Sequence, residues 1–255
     1  MTPLENIDLP EGDAPDTLHL HPAAQFHPHV LLPGDPARAM AIATSQLDQP
    51  KMFNHRRGLW GYSGLTPDGV GVLVQATGMG GPSAAIVCEE LADLGAEVFV
   101  RVGTCGAIHQ SVKLGDLVVA AEVIGDDGAS AALGVAGSIA ADARLTELLA
   151  GEAEASSHNH HTGSIATVDL FYDPSGDARY AKLAGAGALA IEMEAAAVLG
   201  VGRRRGVPSA CLLAVTDELW NDGQRKRLTH DEIVELGEVL GHVATRAVAT
   251  YSTTD

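Results

Sequence analysis

Three glycine-rich turns carry the residues best suited to chemistry. Leu31-Leu32-Pro33-Gly34-Asp35-Pro36-Ala37-Arg38 reads as a strand, a tight turn and a helix start. Gly34 allows close backbone approach, free amides at the new helix N-terminus favour an anion, and Arg38 lies one turn in, able to reach back. A plain turn with a surface arginine is the competing reading. Arg101-Val102-Gly103-Thr104-Cys105-Gly106 repeats the logic at the end of an apolar run, with Thr104 adding a hydroxyl and an amide at the expected turn. A buried arginine needs an anion or a carboxylate beside it, so Arg101 marks either an anion site or a structural ion pair. The third turn, Gln75 to Ser83, has three glycines at 78, 80 and 81, but lacks the Lys-Ser/Thr pair of a phosphate-binding P-loop and the spacing of a dinucleotide fingerprint.

Carboxylates end two further apolar runs. Glu192-Met193-Glu194 opens a helix, and a carboxylate there can bind a sugar diol or simply favour the helix N-terminus. Val215-Thr216-Asp217-Glu218 offers a general acid if one carboxyl holds its proton near neutral pH.

Bulk composition narrows the field. The chain has 255 residues, 16 basic and 33 acidic, for a net charge of −17. Such a surface repels nucleic acid and anionic lipid, so neither is an expected partner. Cys88, Cys105 and Cys211 show no CxxC spacing, so neither a disulfide framework nor a zinc site is expected. His158, His160 and His161 crowd a polar stretch and read as surface rather than metal ligands. With no basic-then-apolar leader and no apolar run of about 18 residues, a cytoplasmic protein is expected.

These residues need a scaffold. Apolar runs at Val30–Leu32, Val72–Ala76, Val98–Val102, Leu117–Ala121, Ser164–Val168, Ala188–Ile191 and Ala210–Val215 suit strands, several of them covered on both faces. Helices are expected from Pro82 to Leu94, Ala140 to Ala150 and Glu194 to Arg205, and a long one after the capping box of Thr229 and Glu232. The alternation predicts an α/β fold in one domain over residues 26–255, preceded by a Pro-rich acidic arm at 1–25. Ala129–Ala141 reads as a loop.

In order, the segments PGDPAR, HRRG, TGMGGPS, RVGTCGA, DLFYDP, IEMEAA and VTDEL resemble the nucleoside phosphorylase family of the hexameric purine nucleoside and uridine phosphorylase type, from about His19 to the C-terminal helix. The resemblance implies a mixed, twisted, partly barrel-like central sheet flanked by helices, assembled as a trimer of dimers. It implies phosphate as co-substrate, with no cofactor and no metal, and a nucleoside as partner. By the same resemblance Gly34, Arg38, Arg101 and Thr104 bind phosphate, joined by Arg57 of the neighbouring subunit. Glu194 takes the ribose hydroxyls with Met193 packed on the sugar, and His19, or failing it His21, reaches the neighbour's ribose 5′-hydroxyl. Phe171 stacks on the base near Cys105 and Gly106, with Glu192 and Arg179 as further base-side residues. Asp217 matches the acid that protonates a purine.

The choice of base draws on departures from the pattern. TGMGGPSAAIVCEELADLGAEVFVRVGTCGAI and DDGAS look closer to uridine and methylthioadenosine phosphorylases. Uridine phosphorylases read uracil with a Gln and an Arg; Arg179 fits the Arg slot, but Asp177 stands where the Gln would be and cannot make both amide bonds. Those enzymes also usually lack the acid at 217. Both departures favour purine nucleosides, with uridine, then methylthioadenosine phosphorolysis, then a non-catalytic nucleoside-binding relative as alternatives. The residue assisting Asp217 is left open among Arg225, Arg227 and His230, and Trp220 is expected to pack on the C-terminal helix.

Overall fold

Apolar runs and their caps set the elements of the computed structural model, which describes residues 17–220 and 225–251. In chain order these are β1 (His29–Leu32), α1 (Pro36–Gln46), β2 (Asp48–Asn54), a 3₁₀ turn (Arg56–Gly58), β3 (Gly61–Leu65), β4 (Gly71–Gln75) and α2 (Gly81–Asp93). Then come β5 (Val98–Ala107), β6 (Leu117–Asp126), α3 (Gly128–Ala132), β7 (Ser138–Ala140), α4 (Ala143–Ala155) and β8 (His160–Val168). The chain closes with α5 (Gly176–Gly185), β9 (Ala188–Glu192), α6 (Ala195–Arg205), β10 (Ser209–Glu218), β11 (Lys226–Arg227) and α7 (His230–Thr250).

Capping chemistry explains several helix ends. Asp35 accepts from the Ala37 amide with Pro36 at the first helical position of α1. Thr229 and Glu232 form the expected reciprocal capping box on α7. Three arginines fill the last turn of α6, which Gly206 closes in the left-handed conformation.

The mixed sheet runs β11-β10-β6-β8-β9-β5-β1-β4-β3-β2, with β7 on β6, and β10 also pairs with β5. That extra pairing closes β5, β10, β6, β8 and β9 into a five-stranded ring, while β1, β4, β3 and β2 continue as an open wing. Helices α1, α4 and α7 share one apolar core with the sheet; α2 and α6 share the other, which includes Leu20. The barrel-like, helix-flanked α/β architecture is therefore present.

Three local expectations are corrected, and the place of the histidine cluster becomes plain. The stretch 129–141 is not a loop: it contains most of α3 and all of β7, which pairs with β6. Helix α4 does not stop at Gly151 but runs on to Ala155. The apolar run ending at Val102 does not turn there: β5 continues through Gly103 and Gly106 because β10 and β9 supply ladder partners. His160 and His161 open β8, and the His161 ring bonds Asp116 at 2.8 Å.

Candidate active site

Extending β5 and β10 beyond the apolar core brings their polar ends to one wall of a cavity of about 650 Å³, a size suited to a small organic ligand. The α1 turn gives Gly34 and Arg38, β5 gives Arg101, Thr104, Cys105 and Gly106, and the β9–α6 junction gives Glu192, Met193 and Glu194. Asp217 comes from β10, and Phe171 from the loop before α5.

Arg101 is the centre of the polar wall. It is 4% exposed, and its guanidinium folds back so that a Cβ at Gly103 would stand 2.6 Å from it, which is why that position is glycine. Nε donates to Glu192 Oε2 at 3.2 Å, and Nη2 donates to Glu194. Nη1 has no partner among the described residues. Burial lowers the Arg101 pKa, but Glu194 and Glu192 more than offset it and raise it, so the arginine stays charged. Arg38 differs: burial and the Arg101 guanidinium both push its pKa below the ordinary value. Two guanidiniums that repel each other, one with an unpartnered N–H, describe a slot that an anion would stabilise. Gly34 borders that slot; a Cβ there would lie 3.5 Å from Arg101 Nη1 and 3.2 Å from the Gly78 carbonyl.

The two carboxylates of the β9–α6 junction divide their work. Glu192 is enclosed: besides Arg101 it accepts from the Thr167 hydroxyl at 2.5 Å and from the amides of Glu194 and Ala195. It holds Arg101 and caps α6, and it also lines the cavity. Glu194 accepts from Arg101 and, at 2.6 Å, from the Gly80 amide. The Gly78 and Gly80 backbones are left-handed, at φ 73° and 88°, which lets this loop turn an amide towards Glu194.

At the other end of the cavity stands Asp217. The β5–β10 register shifts between Val215 and Asp217, a bulge that re-aims the side chain. The Thr216 hydroxyl donates to Asp217 Oδ2 at 2.8 Å. Arg227, opposite it on β11, brings Nε to 3.6 Å of Oδ1. Of the three helpers left open, Arg225 pairs with Asp177 and His230 begins α7, so Arg227 is the one beside Asp217. Phe171, 55% exposed, stands at the cavity mouth edge-on to Tyr172.

Other expected residues lie elsewhere. Arg179 does not line the cavity: its guanidinium is held by Asp126 and Asp173, each at 2.9 Å. Arg57 is exposed on the 3₁₀ turn with φ 57°. His19 packs against Glu90, and the His21 amide bonds Asn54. Trp220 packs against the core shared by α2 and α6 rather than on α7, beneath Lys113 Nζ at 4.1 Å. Among the described residues no cluster of His, Cys, Asp and Glu could hold a metal ion, and no helix is long and apolar enough to cross a membrane. Thr167, Thr216 and the Gly80 amide were not singled out in sequence; only the fold shows what they touch.

Gly34, Arg38, Arg101, Glu194 and Asp217 thus line one cavity at the end of the five-stranded ring. Residues 28–252 match the family model described as the phosphorylase superfamily, and this chain belongs to that family. It is 36% identical over 198 residues to the DeoD-type purine nucleoside phosphorylase of Colwellia psychrerythraea, covering 76% of this chain and 84% of that one. To the DeoD-type purine nucleoside phosphorylase of Bacillus cereus it is 35% identical over 215 residues, covering 81% and 90%. The uridine phosphorylase of Vibrio fischeri superposes with a TM-score of 0.79 at 25% identity, over 89% of this chain and 94% of that one.

Proposed function

We propose that this chain is a pentosyltransferase that phosphorolyses purine nucleosides to free base and ribose 1-phosphate. The observation that carries the reading is Arg101 Nη1, which has no partner among the described residues, beside Gly34 and Arg38 in the same cavity as Glu194 and Asp217. Phosphate sits in that slot with Thr104. Glu194 takes the ribose hydroxyls with Met193 against the sugar, and the base lies between Phe171 and the Cys105–Gly106 strand. A phosphate oxygen bonds to the anomeric carbon as the glycosidic bond breaks. The bonding electrons go to the base, and Asp217 delivers a proton to its imidazole nitrogen. Holding the anion beneath an oxocarbenium-like centre provides positioning and charge stabilisation, and the proton adds about 10²–10⁴-fold. Phosphate is a co-substrate, and no cofactor enters.

The neighbouring subunit completes the site. Arg57 supports this reading: a non-glycine residue held at positive φ on an exposed turn is an outlier of the kind that clusters at ligand contacts. We assign the assembly as a trimer of dimers, working in the cytoplasm.

The likeness to a uridine phosphorylase structure favours uridine as the second reading. Against it stand Asp217 and the double ion pair that occupies Arg179. The test is base release from inosine, adenosine, methylthioadenosine and uridine, each with and without phosphate. Phosphate-dependent release from inosine and adenosine is expected. Release from uridine alone would overturn the purine assignment, release from methylthioadenosine alone would transfer it to that substrate, and release without phosphate would overturn phosphorolysis.

A further inference from the structure

His19 stands away from the cavity of its own chain. Gly80, whose amide holds Glu194, and Glu90, which holds His19, are ten residues apart across α2, on the order of 15 Å of helix. What fixes His19 is unusually complete. Glu90 is 9% exposed, and its carboxylate accepts from the amides of Leu18 at 3.2 Å, His19 at 3.0 Å and Leu20 at 2.7 Å. The same carboxylate bonds the His19 ring, Nδ1 to Oε1, at 2.6 Å. Leu20 then plugs into the core, fully buried. An ionised carboxylate only accepts, so Nδ1 carries the hydrogen, and on the neutral ring Nε2 is left as an acceptor. Leu18, whose amide also reaches Glu90, is 79% exposed, and Ile86, one turn before Glu90 on α2, is 41% exposed.

We propose that Glu90 is a positioning residue for sugar selection. It locks His19 as the Nδ1–H tautomer and presents Nε2 to the nucleoside of the neighbouring subunit, so that the site favours a sugar with a hydrogen-bond donor at its 5′ position. This rests on the reading that His19 serves the neighbour's ribose. A 5′-hydroxyl donates to Nε2; a 5′-deoxy or 5′-thioether carbon offers nothing to it.

The experiment has two arms on the assembled protein. Nitrogen-15 NMR of labelled histidine reads the His19 tautomer in the wild type, where Nδ1–H is expected; an Nε2–H ring there overturns the proposal whatever the variants do. Rates on inosine and 5′-deoxyinosine are then compared for His19→Ala, Glu90→Gln and the double variant. Each single change is expected to cost about tenfold in kcat/KM on inosine and little on 5′-deoxyinosine, with the double variant no worse than either. If Glu90→Gln slows both substrates alike while His19→Ala is selective, Glu90 is only structural and its proposed role falls. If His19→Ala is not selective, the neighbour reading itself falls, and the positioning role with it.

Discussion

Replacing Asp217 by Asn separates the proton delivery proposed for it from the contacts it makes. The side chain is 19% exposed, and an amide of the same shape still accepts from the Thr216 hydroxyl. What it loses structurally is attraction to Arg227, whose side chain is 59% exposed, and a pair so exposed contributes at most about 1 kcal/mol, or about fivefold in rate. The chemical loss is larger. Without a proton for the leaving base, turnover of inosine should fall about 10²–10⁴-fold, equivalent to about 2.7–5.4 kcal/mol of barrier. A 7-methylated purine nucleoside already carries its positive charge and needs no proton. Its turnover should therefore fall no further than the fivefold ascribed to the ion pair. Steady-state rates for both substrates, with a melting curve showing that the variant folds, decide the matter. Equal losses on the two substrates would refute the acid role of Asp217.

Four further outcomes follow from the same geometry. Arg101→Ala strands the enclosed Glu192 and the buried Glu194, so denaturant unfolding should show a loss of about 3–5 kcal/mol, and the rate should no longer respond to phosphate. Unchanged phosphate affinity would remove Arg101 from the site. Thr167→Val deletes the hydroxyl that both donates to Glu192 and accepts from the Ala196 amide, leaving buried groups unpaired; a stability loss of about 1–3 kcal/mol is expected by the same method. Burial pushes the thiols of Cys88, Cys105 and Cys211 up, so iodoacetamide at neutral pH should label none of them until the protein unfolds, as read by mass spectrometry. Burial pushes the Glu90 carboxyl upward, but bonds from His19 and from the Leu20 and His19 amides hold it below its ordinary value. Its stabilisation is therefore full above the unfolded value of about 4.3 and lost as pH falls through the folded one, so Glu90→Gln should flatten the acid limb of the unfolding curve.

The sequence made some elements plain because local rules decide them. The apolar runs at 30–32, 72–76 and 98–102 are strands, and the capping box at Thr229 begins α7. It hid others where partners decide. β2, reading DQPKMFN, and β3, reading GYSGL, have no clean alternation and exist because β4 carries them as a wing. Gly103 and Gly106 look like turn residues, yet the strand continues because β10 and β9 pair with them. The closure of the ring by β5 and β10 joins segments about a hundred residues apart, which no local pattern encodes.

The site was legible to the same degree. Gly34 was visible as a turn glycine, and Arg38, Arg101, Thr104, Glu194 and Asp217 as polar residues at or just past the ends of apolar runs; all six line one cavity. The sequence could not show that Glu192 faces Arg101 and the α6 amides, or that Arg179 is claimed by two aspartates. Nor could it show that a bulge at Thr216 turns Asp217 towards Arg227. Each depends on a contact that only the folded chain makes.

Phosphorus-31 NMR of the wild-type reaction with inosine and phosphate tests the central claim most directly. Ribose 1-phosphate should appear in step with hypoxanthine, one for one, as inorganic phosphate disappears. Hypoxanthine released with free ribose, and no change in the phosphate signal, would show that water is the nucleophile and would contradict the assignment of the arginine slot to phosphate.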